Sequence, residues 1–402
     1  KREDPMTLSK AKRYPLFALL YFTQGTVLGY FTALNALYLL SRDVSLTKIG
    51  IFATIALIPF VIKILFGILS DKINLFGLGH RKPYILLGLA IQFVCLILVP
   101  QVDPAASYWG FVALAFTLQM GMALYDTCTD GLALDTTPER EKGLIQGLMV
   151  GGRAVGVMVA ASVAGLLAEK VSWPAVFYLL AGLTLLPLPL VLLMREPEKR
   201  AGQAFEWRAF RAFNNRTVLA VAGAGFVFFL IVVGANQLVN PYLTERFEIS
   251  LATAGSFTTL WGAGVVLGGL AGGLLMDKLG RRLATWVALG MSIIGVLALA
   301  LIPNLPLAWG VVFLFGLTYG SVQAIYYALA MFYTEPRIAA SMFSILMAVT
   351  NIGQGVGLSL AGRLADTRGY ATAFVVLAVL NVLVVPFVLL IFARRKQAAG
   401  AA

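Results

Sequence analysis

Twelve apolar runs, each long enough to cross a bilayer as a helix, follow one another along this chain with mostly short polar turns between them. They lie at 14–40, 48–70, 83–101, 108–135, 143–168, 175–194, 216–244, 251–276, 283–302, 308–334, 341–364 and 371–393. About 20 residues of helix match the roughly 30 Å hydrocarbon layer. Lipid offers no hydrogen bonds, so each run must satisfy its own backbone, and a helix does so. Composition agrees: 59% of residues are hydrophobic and 12% are charged, about half the charged share of soluble domains. The expected fold class is an all-α polytopic membrane protein with twelve transmembrane helices, its constant partner the lipid bilayer.

The basic residues set the orientation. With the amino terminus placed inside, 23 of the 31 Lys and Arg fall in the loops and tails of that side. Six lie outside (Arg42, Lys48, Lys170, Arg246, Arg363 and Arg368), and Lys63 and Arg153 lie within spans. Basic loops remain cytoplasmic during insertion, so both termini are expected in the cytoplasm. The net charge of +12 is then a topological signal and not a nucleic-acid patch. No cleavable leader is expected, because the first long run is followed at once by another.

Several chemistries drop out on the residues themselves. His80 is the single histidine and sits in a loop, so neither a metal cluster nor a histidine-based triad is expected. No phosphate-binding glycine loop of the P-loop type appears, which argues against ATP as a driving force in this chain. Cys95 and Cys128 both fall inside spans, so no disulfide framework is implied. The chain is expected to be a monomer, to hold no cofactor and not to be an enzyme.

The chain repeats itself. Gly67-Ile-Leu-Ser-Asp71-Lys72 closes span 2, and Gly273-Leu-Leu-Met-Asp277-Lys278 closes span 8. Further on, Gly165-Leu-Leu-Ala before Phe177 corresponds to Gly362-Arg-Leu-Ala before Phe374. Matched pairs run in the same direction, so the expected domains are parallel six-helix bundles, 1–194 and 216–402, joined by a cytoplasmic linker at 195–215. Trp207, Phe210 and Phe213 alternate with Arg208 and Arg211, which predicts a short amphipathic helix at the membrane surface. In transporters built from such repeats the solute site lies at the midplane between the halves.

Four charges sit inside apolar sequence: Lys63, Asp126, Asp130 and Arg153. Asp126 and Asp130 are four apart and share a helix face. Counting from the nearer helix ends puts Asp126 and Arg153 roughly 15 Å deep, Lys63 roughly 10 Å and Asp130 roughly 9 Å. Such groups are kept only with a partner or a task. Two readings stand open. In one, two cations and two anions form a neutral network that fixes spans 2, 4 and 5. In the other, Asp126 and Asp130 couple transport to protons, and Lys63 and Arg153 meet an anionic solute; Asp126, the deeper, is then the better carrier. Asp135 lies at the membrane edge and is expected to pair with Arg81, Lys82 or Arg140. The second half carries neutral polar groups within its spans, among them Asn236, Gln237, Asn240, Tyr319, Gln323, Tyr326 and Tyr327.

The run Gly273-Leu-Leu-Met-Asp277-Lys278-Leu-Gly280-Arg281-Arg282 resembles the signature loop of the major facilitator superfamily. Tyr21 to Gly25, Pro59 to Asp71 and Leu75 to Tyr84 are similar to the folate–biopterin transporter family. Asp126, Asp130 and Gly151-Gly152-Arg153 resemble the neighbouring muropeptide permease and acetyl-CoA transporter family. The resemblance implies the major facilitator fold, with Asp71, Arg81 and Lys82 in one half and Asp277, Arg281 and Arg282 in the other acting as a cytoplasmic latch. It also implies a cavity lined by helices 1, 4, 7 and 10, which favours Gln24, Asn35, Asn236, Gln237, Asn240, Gln323 and Tyr327 as solute contacts; each is as readily a helix–helix hydrogen bond. The implied function is secondary active transport of an anionic or zwitterionic organic solute by alternating access, coupled to protons, in a bacterial inner membrane. The alternatives are a drug or lipid exporter of the same fold, and a transport-dead assembly or sensor protein.

Overall fold

A computed structural model of the chain describes residues 9–194, 196 and 205–393; both chain ends and much of the 195–215 linker lie outside the described residues. The helices are α1 Lys10–Ala33, α2 Lys48–Lys72, α3 Lys82–Gln101, α4 Tyr108–Thr136, α5 Glu139–Lys170 and α6 Trp173–Leu193. After the linker come α7 Arg216–Phe247, α8 Thr253–Leu279, α9 Arg281–Ala300, α10 Leu305–Phe332, α11 Pro336–Arg368 and α12 Tyr370–Ile391. Among the described residues there is no strand. Eleven of these helices, α2 to α12, are long and apolar enough to cross a membrane. The expected first span is filled by α1 and a short helix, Asn35–Leu40, divided at Leu34.

Two interruptions bear on the site. α2 carries Pro59 inside it and breaks three residues later at Ile62, where ψ is 1°. A new segment, Lys63–Lys72, starts there, with Lys63 as its first residue. In α5 the stretch Ala160–Ala164 is π-helical, a feature frequent near functional positions.

The helices pack as close pairs: α1 along α5, α7 along α11, α8 along α10 and α5 along α8, with α2 meeting α11. Small residues make these approaches possible. Gly25 is a case where no side chain fits, because a Cβ there would stand 2.9 Å from the Arg153 Cα. Along α5, Gly152 abuts the Ala18 backbone and Gly147 abuts Gly269. The linker's helix is present over Trp207–Asn214 as a 3-10 helix. Its Ala209 is buried, while Trp207, Arg208 and Arg211 are exposed. This segment and the start of α1 mark one end of the bundle, called the basic face below.

Candidate functional site

The break in α2 delivers Lys63 into the bundle, where it is 4% exposed. Its Nζ lies 3.3 Å from Asp126 Oδ2 on α4. The other oxygen of Asp126 accepts a 2.8 Å hydrogen bond from Gln24 Nε2 on α1. One turn along α4, Asp130 accepts a hydrogen bond from the Tyr21 hydroxyl, also on α1. Asp126 and Asp130 are both buried. Three helices of the first six are thus tied through two carboxylates on one face of α4.

Arg153 is placed differently. Its Nη2 donates at 2.8 Å to Gln323 Oε1 on α10, and its guanidinium lies 5.9 Å from the centre of the Tyr327 ring. Among the described residues no carboxylate pairs with it in a salt bridge. Unlike Lys63 it is only half-buried. Aromatic rings continue the wall: Tyr327 lies 5.4 Å from Phe229 on α7, and Tyr319 lies 5.1 Å from Trp261 on α8. Gln24 Oε1, Tyr326 Oη and Trp261 Nε1 are buried without a protein partner, which leaves polar atoms for a solute or water. Seven residues singled out by the sequence therefore form one cluster: Gln24, Lys63, Asp126, Asp130, Arg153, Gln323 and Tyr327.

The other expected contacts lie elsewhere. Gln237 donates at 2.5 Å to the Leu358 carbonyl on α11, and Asn240 at 2.9 Å to Thr258 on α8, so both act between helices in this state. Asn236 is half-buried on α7. Asn35 is buried in the short helix after α1, and its Oδ1 has no protein partner.

At the basic face, two aspartates cap helices across the bundle. Asp71, closing α2, accepts from the N–H of Ala340 at 3.3 Å, and from the N–H and Oγ of Ser341 at 2.8 and 2.7 Å, at the start of α11. Asp277, closing α8, accepts from the N–H of Gly143 at 2.8 Å and of Leu144 at 2.7 Å, at the start of α5. A carboxylate at a helix amino terminus satisfies orphan donors and meets the positive end of the dipole. Arg81 binds Asp71 at 2.6 Å and Asp135 at 2.8 Å, and Asp135 thereby finds one of its three expected partners. Lys82 donates to the Leu192 and Met194 carbonyls at the end of α6. Arg281 lies 4.9 Å from the Phe332 ring centre, whereas Arg282 lines a shallow cleft with Trp286 and Phe392.

Four further residues matter whose contacts sequence reasoning did not supply. Tyr21 opens the stretch similar to the folate–biopterin transporter family, and its hydroxyl holds Asp130. Arg13 and Glu141 read as loop charges, but they pair in a buried contact that ties α1 to the start of α5, with Lys10 also 3.1 Å from Glu141. Glu196, at the head of the linker, accepts from the backbone N–H groups of His80, Arg81 and Lys82, capping α3.

Comparison with known proteins places this geometry. A family model described as the Major Facilitator Superfamily matches residues 17–344. The chain is 24% identical to the anhydromuropeptide permease of Escherichia coli over 90% of its own length and 76% of that protein's. It is 28% identical to the folate-biopterin transporter of Synechocystis over 91% and 78%. Its fold resembles the crystal structure of the Escherichia coli fucose:proton symporter, with a TM-score of 0.75, 15% identity, and 93% and 97% of the two chains covered.

Proposed function

The chain belongs to the major facilitator superfamily, and from that premise we propose that this transporter moves an anionic or zwitterionic organic solute together with protons. The six helices before the linker and the six after it rock as two bundles about the Lys63–Arg153 cluster. The basic face is the cytoplasmic one, in a bacterial inner membrane, and the two aspartate caps hold it closed in this state.

The observation that carries this reading is the position of Arg153. It bridges from α5 to Gln323 on α10 without a carboxylate partner among the described residues. A guanidinium presents a planar fork that matches a carboxylate through two hydrogen bonds. A solute carboxylate taking the place of Gln323 would draw α5 and α10 onto itself, and so link binding to the movement of one bundle on the other. The two carboxylates of α4, close by, supply the proton sites. An anion bound beside them and a proton taken up by one of them offset each other's charge. Two of the relatives are named for solutes of this kind, since anhydromuropeptides and folates carry carboxylates, whereas another is named for amines.

Uptake into proteoliposomes tests this. A labelled anhydromuropeptide, a folate and an organic amine are offered with the outside acid. Accumulation of one of the two anionic solutes, lost in Arg153→Gln, is the expected result. Accumulation of the amine alone, or of an anion with unchanged rate in Arg153→Gln, would overturn the assignment.

A further inference from the structure

Depth counted from the helix ends favours Asp126 as the proton carrier, but the partners of the two aspartates differ. Asp126 has the Lys63 ammonium at 3.3 Å on one oxygen and the Gln24 amide at 2.8 Å on the other. Both oxygens of Asp126 are thus engaged, one of them by a charge. Asp130, 2% exposed, has the Tyr21 hydroxyl as its hydrogen-bond partner and no ammonium or guanidinium in salt-bridge contact among the described residues.

The groups that face Asp130 can be taken element by element. α1 brings Tyr21, α2 brings Lys63, α5 brings Arg153, and Asp126 is on its own helix. α3 brings Arg81, which is engaged by Asp71 and Asp135. α11 brings Ala340, uncharged, against the neighbouring Gly131, and α10 brings Tyr327, beneath Arg153. Two carboxylates therefore share a buried site in which Lys63 is committed to one and Arg153 is turned to Gln323.

We propose that Asp130 is the group that takes up and releases the transported proton, and that Tyr21 is its positioning residue. A tyrosine hydroxyl suits that role because it can both donate and accept. It donates to the Asp130 carboxylate. When a proton arrives and an O–H bond forms on Asp130, the phenolic oxygen can accept from that new donor. Neither state then leaves a buried polar group unpaired. This assignment rests on reading the cluster as a proton-coupled site, but the test below needs no solute, so an error in the solute class leaves its outcome untouched.

The test is pH-difference infrared spectroscopy on the purified full chain, following the C=O stretch of a buried carboxylic acid. The wild type should show one such band that disappears as pH rises. Asp130→Asn should abolish it. The double variant Lys63→Gln/Asp126→Asn, which removes the ion pair without leaving either charge alone, should retain it. Tyr21→Phe should keep the band and move it to higher frequency for want of a hydrogen bond. A band that survives Asp130→Asn, the absence of any titrating band in the wild type, or a Tyr21→Phe spectrum unchanged in frequency overturns the proposal. Should Asp130→Asn not fold, the Tyr21→Phe spectrum decides alone.

Discussion

Asp71 on α2 grips Ser341 on α11 through both the backbone N–H, at 2.8 Å, and the side-chain hydroxyl, at 2.7 Å. One turn earlier, Gly67 lies against the same serine, and a Cβ on it would stand 2.8 Å from the Ser341 Cα. The second copy of the motif repeats the relationship: Asp277 caps Gly143 and Leu144, while Gly273 abuts the Gly143 backbone. In each copy the glycine permits the approach and the aspartate, four residues on, fixes it. These contacts join the first six helices to the last six twice, in opposite senses.

Removing both caps should open the basic face. Each capping carboxylate contributes about 1–3 kcal/mol through charge-assisted hydrogen bonds, so Asp71→Asn/Asp277→Asn should shift the balance away from the closed state by several tens of fold or more. Cysteines introduced on the α5–α8 seam, for example at Leu270, would report this as faster alkylation from that face. Unchanged alkylation in the double variant would remove the caps from the gate.

Lys63 should be needed for stability as well as for transport. Lys63→Met leaves Asp126 buried with Gln24 alone, and breaking a buried pair from one side costs about 3–5 kcal/mol. A drop in thermal midpoint in detergent is expected, largely restored in Lys63→Gln/Asp126→Asn. A single variant as stable as the wild type would show that the 3.3 Å contact contributes nothing to the fold.

Much of this architecture is legible in the residues, for physical reasons. Apolar length is dictated by bilayer thickness, so the long helices can be counted. Asp71 and Asp277 stand at the same place in two copies of one motif, and a repeated charge at a helix end implies a repeated task. The buried cluster was visible because Lys63, Asp126, Asp130 and Arg153 are costly in lipid. What sequence cannot supply is direction. Gln237 and Asn240 look no different from Gln323, yet they bond neighbouring helices while Gln323 meets Arg153. Depth counted from helix ends ranks Asp126 above Asp130, but it is blind to who stands opposite. That is set by the break at Ile62, which aims Lys63 at Asp126. Tyr21 opens a stretch similar to a transporter family, but nothing in that stretch says which carboxylate its hydroxyl meets.

The proposed orientation predicts the accessibility of the linker. Arg208 is exposed on its helix, and Cys95 and Cys128 are buried, so Arg208→Cys supplies a reactive thiol with little background. A membrane-impermeant maleimide should label it in opened cells and not in intact ones. Labelling of intact cells would reverse the assignment of the basic face to the cytoplasm.

The central claim is that an anionic solute and a proton cross together, and the most direct measurement is proton entry itself. Proteoliposomes are loaded with a pH-sensitive dye, with equal pH on both sides, and an anhydromuropeptide or folate that the chain accumulates is added outside. The account predicts acidification of the lumen with the wild type. It predicts none with Asp130→Asn, although exchange of labelled for unlabelled solute continues in that variant. Solute entry by the wild type without acidification, or acidification that persists in Asp130→Asn, would contradict it.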